Sequence, residues 1–133
     1  MTDYHVTCDC GAVGMSLTGE PRVRGHCHCQ ACRTLLNTPY HSVNAWMPEQ
    51  VRITSGEADL IDFQHPYLKM RKIYCGKCGE VMFNTNAMDW RVVSQHLMAK
   101  NNDGILPDEL KSLSHFHYGG RVIDVVDDLP KKE

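Results

Sequence analysis

Between Gly25 and Arg33 the sequence reads GHCHCQACR, which sets Cys27, Cys29 and Cys32 close together, with His28 between the first two. Two further cysteine pairs stand far from it, Cys8 and Cys10 in CDCG, and Cys75 and Cys78 in CGKCG. Thiols grouped in this way hold zinc or another soft metal, or act as redox groups. The outer pairs echo each other: CDCGAVGMSL and CGKCGEVMF both run cysteine pair, Gly, one residue, Val, then apolar residues. A glycine just after the second cysteine permits a tight turn in which backbone N–H groups point at the thiolate sulfurs and stabilise their charge. Each pair alone makes half a tetrahedral site. The echo therefore predicts that Cys8, Cys10, Cys75 and Cys78 form a closed four-sulfur site, with zinc as a staple between distant parts of the chain. Iron is the competing metal, because sulfur ligation alone does not separate the two.

That split leaves Cys27, Cys29 and Cys32 with no fourth cysteine. Pairings that mix the middle cluster with either flank use the same seven thiols and stay open at this point. Under the four-plus-three split, the remaining position falls to water, a histidine or a bound small molecule. Three protein ligands with an exchangeable fourth is the pattern of catalytic zinc. His26 and His28 are the local candidates to close the site, although the side chain of His28, placed between two ligands, is expected to point away. Three anionic sulfurs make zinc a weak Lewis acid toward water, yet still able to hold and deprotonate an incoming thiol. A thiolate so generated is a nucleophile for a small carbonyl such as an aldehyde.

The elements that must position these groups read as mostly strand, in short segments punctuated by Gly, Pro, Asn and Asp. HVTCDCGAVGMSLTG reads as a hairpin or turn between two strands, SVNAWMPEQVRITSG as another pair around Met47 and Pro48, and MRKIYCGKCGEVMFN as strand, turn and strand. Near the end, SHFHYGG predicts a strand through Tyr118, and a β-branched run follows from Arg121 to Val126. Helix is confined to a turn after Cys32, through Leu36, and one at PDELKSL, where Pro107 and two acids suit a helix N-terminus. On a strand, His115 and His117 would share one face. Trp46 and Trp90 read as core or pocket wall, and Gly119 with Gly120 as a bend.

The 133 residues predict one domain with one ordinary core. A formal charge of −2 with both signs scattered gives no footprint for nucleic acid, and seven thiolates on two zinc ions would be less favourable still. No apolar run is long enough for a membrane span, and MTDYHVTCDCG lacks a secretory pattern, so a cytoplasmic, reducing setting is expected. There, clustered thiols serve as metal ligands or reactive groups rather than disulfides.

The order C-x-C-G, then C-H-C-x-x-C, then Y-C-x-x-C-G, closing in a strand and D-D-L-P-K, resembles the GFA family, named for glutathione-dependent formaldehyde-activating enzyme and including centromere protein V. The resemblance runs from Cys8 to about Lys131 and includes VRITSGEADL. It implies a zinc-stapled β-tent fold of small antiparallel sheets with one or two short helices. It also implies a structural zinc on Cys8, Cys10, Cys75 and Cys78, and a catalytic zinc on Cys27, Cys29 and Cys32. The implied activity is that of a carbon–sulfur lyase, in which glutathione adds to formaldehyde to give S-hydroxymethylglutathione. The segment TLLNTPYH after Cys32 is bulkier than the corresponding part of the family and is expected to line the open site. Glutathione's two carboxylates would need cationic anchors, for which Arg33, Arg71, Lys72 and Arg121 are the candidates. The alternative is a non-catalytic zinc module that binds a small thiol or a protein.

Overall fold

Among residues 2–133, which the computed structural model describes, ten strands and two short α-helices follow one another. Strands β1 (Asp3–Thr7) and β2 (Gly14–Thr18) form the expected antiparallel hairpin, and β5 (Val51–Ser55) pairs with β2 to complete a three-stranded sheet. The second sheet has seven strands: β3 (Val23–Cys27), β4 (His41–Trp46), β6 (Leu60–Gln64), β7 (Arg71–Cys75), β8 (Val81–Thr85), β9 (Arg91–Ser94) and β10 (Ser114–Phe116). Their spatial order is β10-β3-β4-β9-β8-β7-β6. Every pair is antiparallel except β10 on β3, so the fold is mostly β with one parallel edge. Helix α1 (Gln30–Leu36) follows the middle cysteines, and α2 (Gln95–Lys100) follows β9.

Four sequence expectations are corrected. The strands flanking Met47 and Pro48 exist but do not pair; a 3-10 turn at Pro48–Gln50 carries the chain from the large sheet to the small one. The β-branched run from Arg121 to Val126 forms no strand and pairs with neither sheet, and Val126 is 98% exposed, so strand propensity finds no partner there. The strand at SHFHY stops at Phe116: His117 adopts left-handed backbone at φ 54°, so it does not share a face with His115. PDELKSL forms the expected turn, a 3-10 one, but helix is not confined to the two places read from the sequence: α2, capped by the Ser94 hydroxyl accepting from the His96 N–H, is a further one.

The pleat gives the large sheet two different faces. Antiparallel partners share a face, and so do residues two apart. One face carries Asn44 and Trp46 with Val93, Ile73 and Phe83. It meets Val6, Met15 and Leu17 of the small sheet and Leu97 and Met98 of α2, and this is the main core. Trp46 is fully buried there, its indole N–H donating to the Gly19 carbonyl at 3.0 Å. Burial of each large side chain of this kind stabilises the fold by roughly 1.5–3 kcal/mol. The opposite face presents Val23, Gly25 and Cys27 along β3, which places the middle cysteines on the side away from the main core.

Candidate metal centres and the adjoining pocket

Cys8 and Cys10 lie in the turn between β1 and β2, while Cys75 ends β7 and Cys78 lies in the turn from it to β8, so the four-sulfur group joins the two sheets. The two turns are built alike. The Gly11 N–H donates to the Cys8 carbonyl at 3.0 Å, and the Gly79 N–H to the Cys75 carbonyl at 2.8 Å. Both glycines sit in the left-handed region, φ 78° and 81°, where a side chain would be strained. Backbone N–H groups reach the sulfurs: Val13 to Cys8 at 3.3 Å and Lys77 to Cys75 at 3.4 Å. The backbone N–H groups of Glu80 and Cys10 hold the Cys78 thiol down at about 7. The Lys100 ammonium on α2 reaches Asp9 at 2.8 Å and Glu80 at 2.7 Å, bracing one turn against the other.

Within this group all four sulfurs lie within 4.8 Å of one another. Cys8 to Cys10 is 3.6 Å and Cys10 to Cys75 is 3.7 Å. A tetrahedron with zinc–sulfur bonds of about 2.3 Å has edges of about 3.8 Å, so the residues present fit a zinc ion. These spacings are far too long for disulfides.

The middle cluster is set by the junction of a strand and a helix. Strand β3 delivers Cys27 at its end; Cys29 then caps α1, its sulfur accepting from the Cys32 N–H at 3.3 Å. Cys32 sits buried in the first turn, 3.7 Å from Cys27, and all three sulfurs lie within 4.8 Å. Three thiolates this close oppose one another's charge. The thiols of Cys27 and Cys32 donate toward Cys29 and hold it far below the usual thiol range. Cys29 in turn pushes Cys27 up to about 11, while Cys27 and Cys29 push Cys32 up. A divalent cation among them would relieve this opposition, and the donor set suits zinc here as well.

Among the described residues no histidine joins either sulfur group. His26 faces the other side of β3, its Nδ1 2.7 Å from the Ser42 hydroxyl. His28 is fully buried and turned away from the sulfurs, stacked on Tyr40 at 4.8 Å between ring centres. Its Nε2 lies 2.8 Å from His115 Nδ1, and His115 Nε2 lies 2.8 Å from Asp127. Lys131 and His115 hold the Asp127 carboxyl below the usual range, so it accepts from His115 Nε2–H. The network then assigns His115 Nδ1 as the acceptor of the His28 Nε2–H. This chain of contacts anchors the segment after β10, which also runs beside that strand: His115 N–H donates to Pro130 and Tyr118 N–H to Lys132.

Beside the middle cluster lies a cavity of about 430 Å³ that all three of its cysteines line. Its floor is one row across the sheet in direct register, Val23 to Ala45 to Val92 to Asn84, with Val43 in the next row. Leu68, Met70, Trp90 and Phe116 form walls. Gly25 makes the Phe116 wall possible: a Cβ there would stand 2.1 Å from the ring. His117 and Lys69 add polar groups, and so does Asn86, whose side-chain oxygen is taken by the N–H groups of Met88 and Trp90.

The expected lining is corrected: no residue of TLLNTPYH reaches this cavity. Leu35 packs behind Cys32, Tyr40 backs His28, and His41, across the strands from Cys27, is pushed down to about 4 by burial. The four candidate cations, each read from the sequence first as a surface charge, are engaged outside the cavity. Arg33 donates to the His28 and Gly120 carbonyls, Arg71 pairs with Asp62 and Asp89, and Arg121 pairs with Asp124. Lys72 lies over the Phe63 and Tyr74 rings. The alternation of VRGHC and HSVNAW, once aligned by register, is the signal that would have found the floor. Lys69 and Asn84 have no such local mark.

Compared with known proteins, residues 3–118 match the model of a family described as glutathione-dependent formaldehyde-activating enzyme. The crystal structure of a Rhodobacter sphaeroides protein is similar in fold, with a TM-score of 0.56 at 19% identity over 84% of this chain and 98% of that one. No curated protein matches. Among the described residues no helix is long and apolar enough to cross a membrane.

Proposed function

The chain belongs to the glutathione-dependent formaldehyde-activating enzyme family, and from that premise we propose that it is a zinc-dependent carbon–sulfur lyase or synthase acting on a thiol and a small aldehyde. Two zinc ions per chain serve different ends. Cys8, Cys10, Cys75 and Cys78 hold the structural ion, and Cys27, Cys29 and Cys32 hold the one that meets substrate. The observation that carries the reading is the second cluster: three sulfurs within 4.8 Å, no histidine grouped with them as a fourth ligand among the described residues, and a cavity lined by all three. Glutathione is the thiol that the family's description supplies.

Zinc at the second cluster would offer one further coordination position, lowering the pKa of a thiol that occupies it. The chain's own contribution is position. Helix α1 fixes Cys29 and Cys32 through the Cys32 N–H, and β3 fixes Cys27. The thiol loses its proton, its sulfur forms a bond to the carbonyl carbon, and the carbonyl oxygen takes up a proton as a hydroxyl. The reverse cleaves the same carbon–sulfur bond. The aldehyde needs little space, and the cavity walls beside the cluster are mostly apolar.

The test is the visible spectrum of protein loaded with cobalt during expression, titrated with thiols and then with formaldehyde. A saturable rise in sulfur-to-metal charge transfer without loss of metal, followed by adduct formation, is expected. If no thiol alters the spectrum while cobalt is retained, the reading is wrong and the chain is a non-catalytic zinc module.

A further inference from the structure

Resting on that reading, we propose that the thiol accepted at the second cluster is a compact, uncharged one with an alkyl or aryl arm, not a peptide thiol bearing carboxylates. The sulfur meets the cysteine cluster, and the arm lies along the floor of the adjoining cavity.

The floor is the first reason. Val23, Ala45 and Val92 are register partners on three adjacent strands, so the apolar row is fixed by the sheet and not by mobile side chains. Trp90, Phe116 and Met70 enclose it with aromatic and thioether surface suited to a hydrocarbon arm. The cavity's size of about 430 Å³ falls within the roughly 300–1,000 Å³ of small-molecule sites.

Charge is the second reason. A carboxylate brought beside these walls needs a charge-assisted partner, and without one its desolvation is heavily unfavourable. Glutathione brings two carboxylates. Lys69 is the one cation lining the cavity among the described residues, and Arg33, Arg71, Lys72 and Arg121 are held elsewhere. The floor makes a single polar demand. Asn84 is fully buried, its amide N–H donates to the Thr85 carbonyl, and its side-chain oxygen has no hydrogen-bond partner among the described residues.

The experiment titrates the full, cobalt-loaded chain with 2-phenylethanethiol and with glutathione, reading the charge-transfer band. The aryl thiol is expected to half-saturate at a concentration at least about tenfold lower, a difference of about 1.4 kcal/mol. In parallel, 2-phenylethanol, the same arm with no sulfur, is expected to shift the fluorescence of Trp90, whereas Trp46 in the core stays silent. The substitution Ala45→Leu fills the floor and should weaken 2-phenylethanethiol about tenfold while leaving the short 2-mercaptoethanol unchanged. If that variant does not fold, Leu68→Arg on the wall should reverse the preference toward glutathione. Glutathione binding as tightly as the aryl thiol overturns the inference while the carbon–sulfur chemistry stands. If no thiol moves the cobalt band, the proposed function fails. The Trp90 response then decides the cavity alone: saturation by 2-phenylethanol upholds an apolar-arm site, and its absence overturns it.

Discussion

Replacing His115 by alanine tests whether the segment after β10 holds the Cys27–Cys32 loop in place. His115 is fully buried and stands between His28 and Asp127, 2.8 Å from each. Truncation leaves the His28 Nε2–H, also fully buried, with no acceptor, at a cost of about 1–3 kcal/mol. The bond to the Asp127 carboxylate is lost as well, but that side chain faces solvent, whose screening leaves it a minor contribution. The space vacated by the ring adds a cavity term of similar size, giving about 3 kcal/mol in total. That is a large part of the 5–15 kcal/mol that holds a domain folded. His28 lies between two cluster cysteines, so the damage should also reach the metal. Loss of the groups that orient metal ligands commonly weakens affinity about 10–100-fold. The four-sulfur group shares none of these contacts. Urea unfolding of the metal-loaded protein measures the first effect, and stepwise competition with a chelator measures the second. A stability loss below about 0.5 kcal/mol, or equal weakening of both clusters, would refute the reasoning.

Cys78→Ser should abolish cooperative folding by circular dichroism, whereas Cys27→Ser should stay folded and retain one zinc by elemental analysis. In Gly25→Ala the new Cβ would stand 2.1 Å from the Phe116 ring, so the ring must swing away; a loss of about 1–3 kcal/mol in denaturant unfolding is expected, with a changed Trp90 emission. For pH, Lys131 and His115 lower the folded-state pKa of Asp127. A lowered carboxyl contributes stability above its unfolded value of about 3.9 and loses it as pH falls through the folded value. The stability gap between the native protein and Asp127→Asn should therefore be constant above about pH 5 and close as the pH falls below about 4.

The metal clusters were legible because their ligands repeat a local pattern. Two cysteine turns with glycine in the same place predict two like-built tight turns, and the structure shows them, with Gly11 and Gly79 both left-handed at φ 78° and 81°. The hairpins around them were readable for the same reason. What stayed hidden depends on partners distant in sequence. The run from Arg121 to Val126 has strand composition and pairs with neither sheet, so propensity misleads there. Strands β4 and β5 are neighbours in the chain but enter different sheets. Register between β3, β4, β9 and β8 aligns the floor of the cavity, and no single segment carries that information. Neighbourhood in sequence does not settle the candidate anchors either: Arg33 follows Cys32 directly, yet the helix points it at the carbonyls of His28 and Gly120.

The two sulfur groups differ in when the growing chain can complete them. Cys27, Cys29 and Cys32 are made almost together, so a ribosome-bound chain possesses the whole open cluster before most of its fold exists. Cys10 must wait for Cys75, 65 residues later, which at about 5–20 residues per second is roughly 3–13 s of synthesis. The later group also needs the hairpin of β1 and β2 to meet that of β7 and β8 across two sheets. Metal capture at the first group is thus a local event, and capture at the second registers that the sheets have assembled. A chain stopped between them would carry the reactive thiols without the scaffold that shelters them.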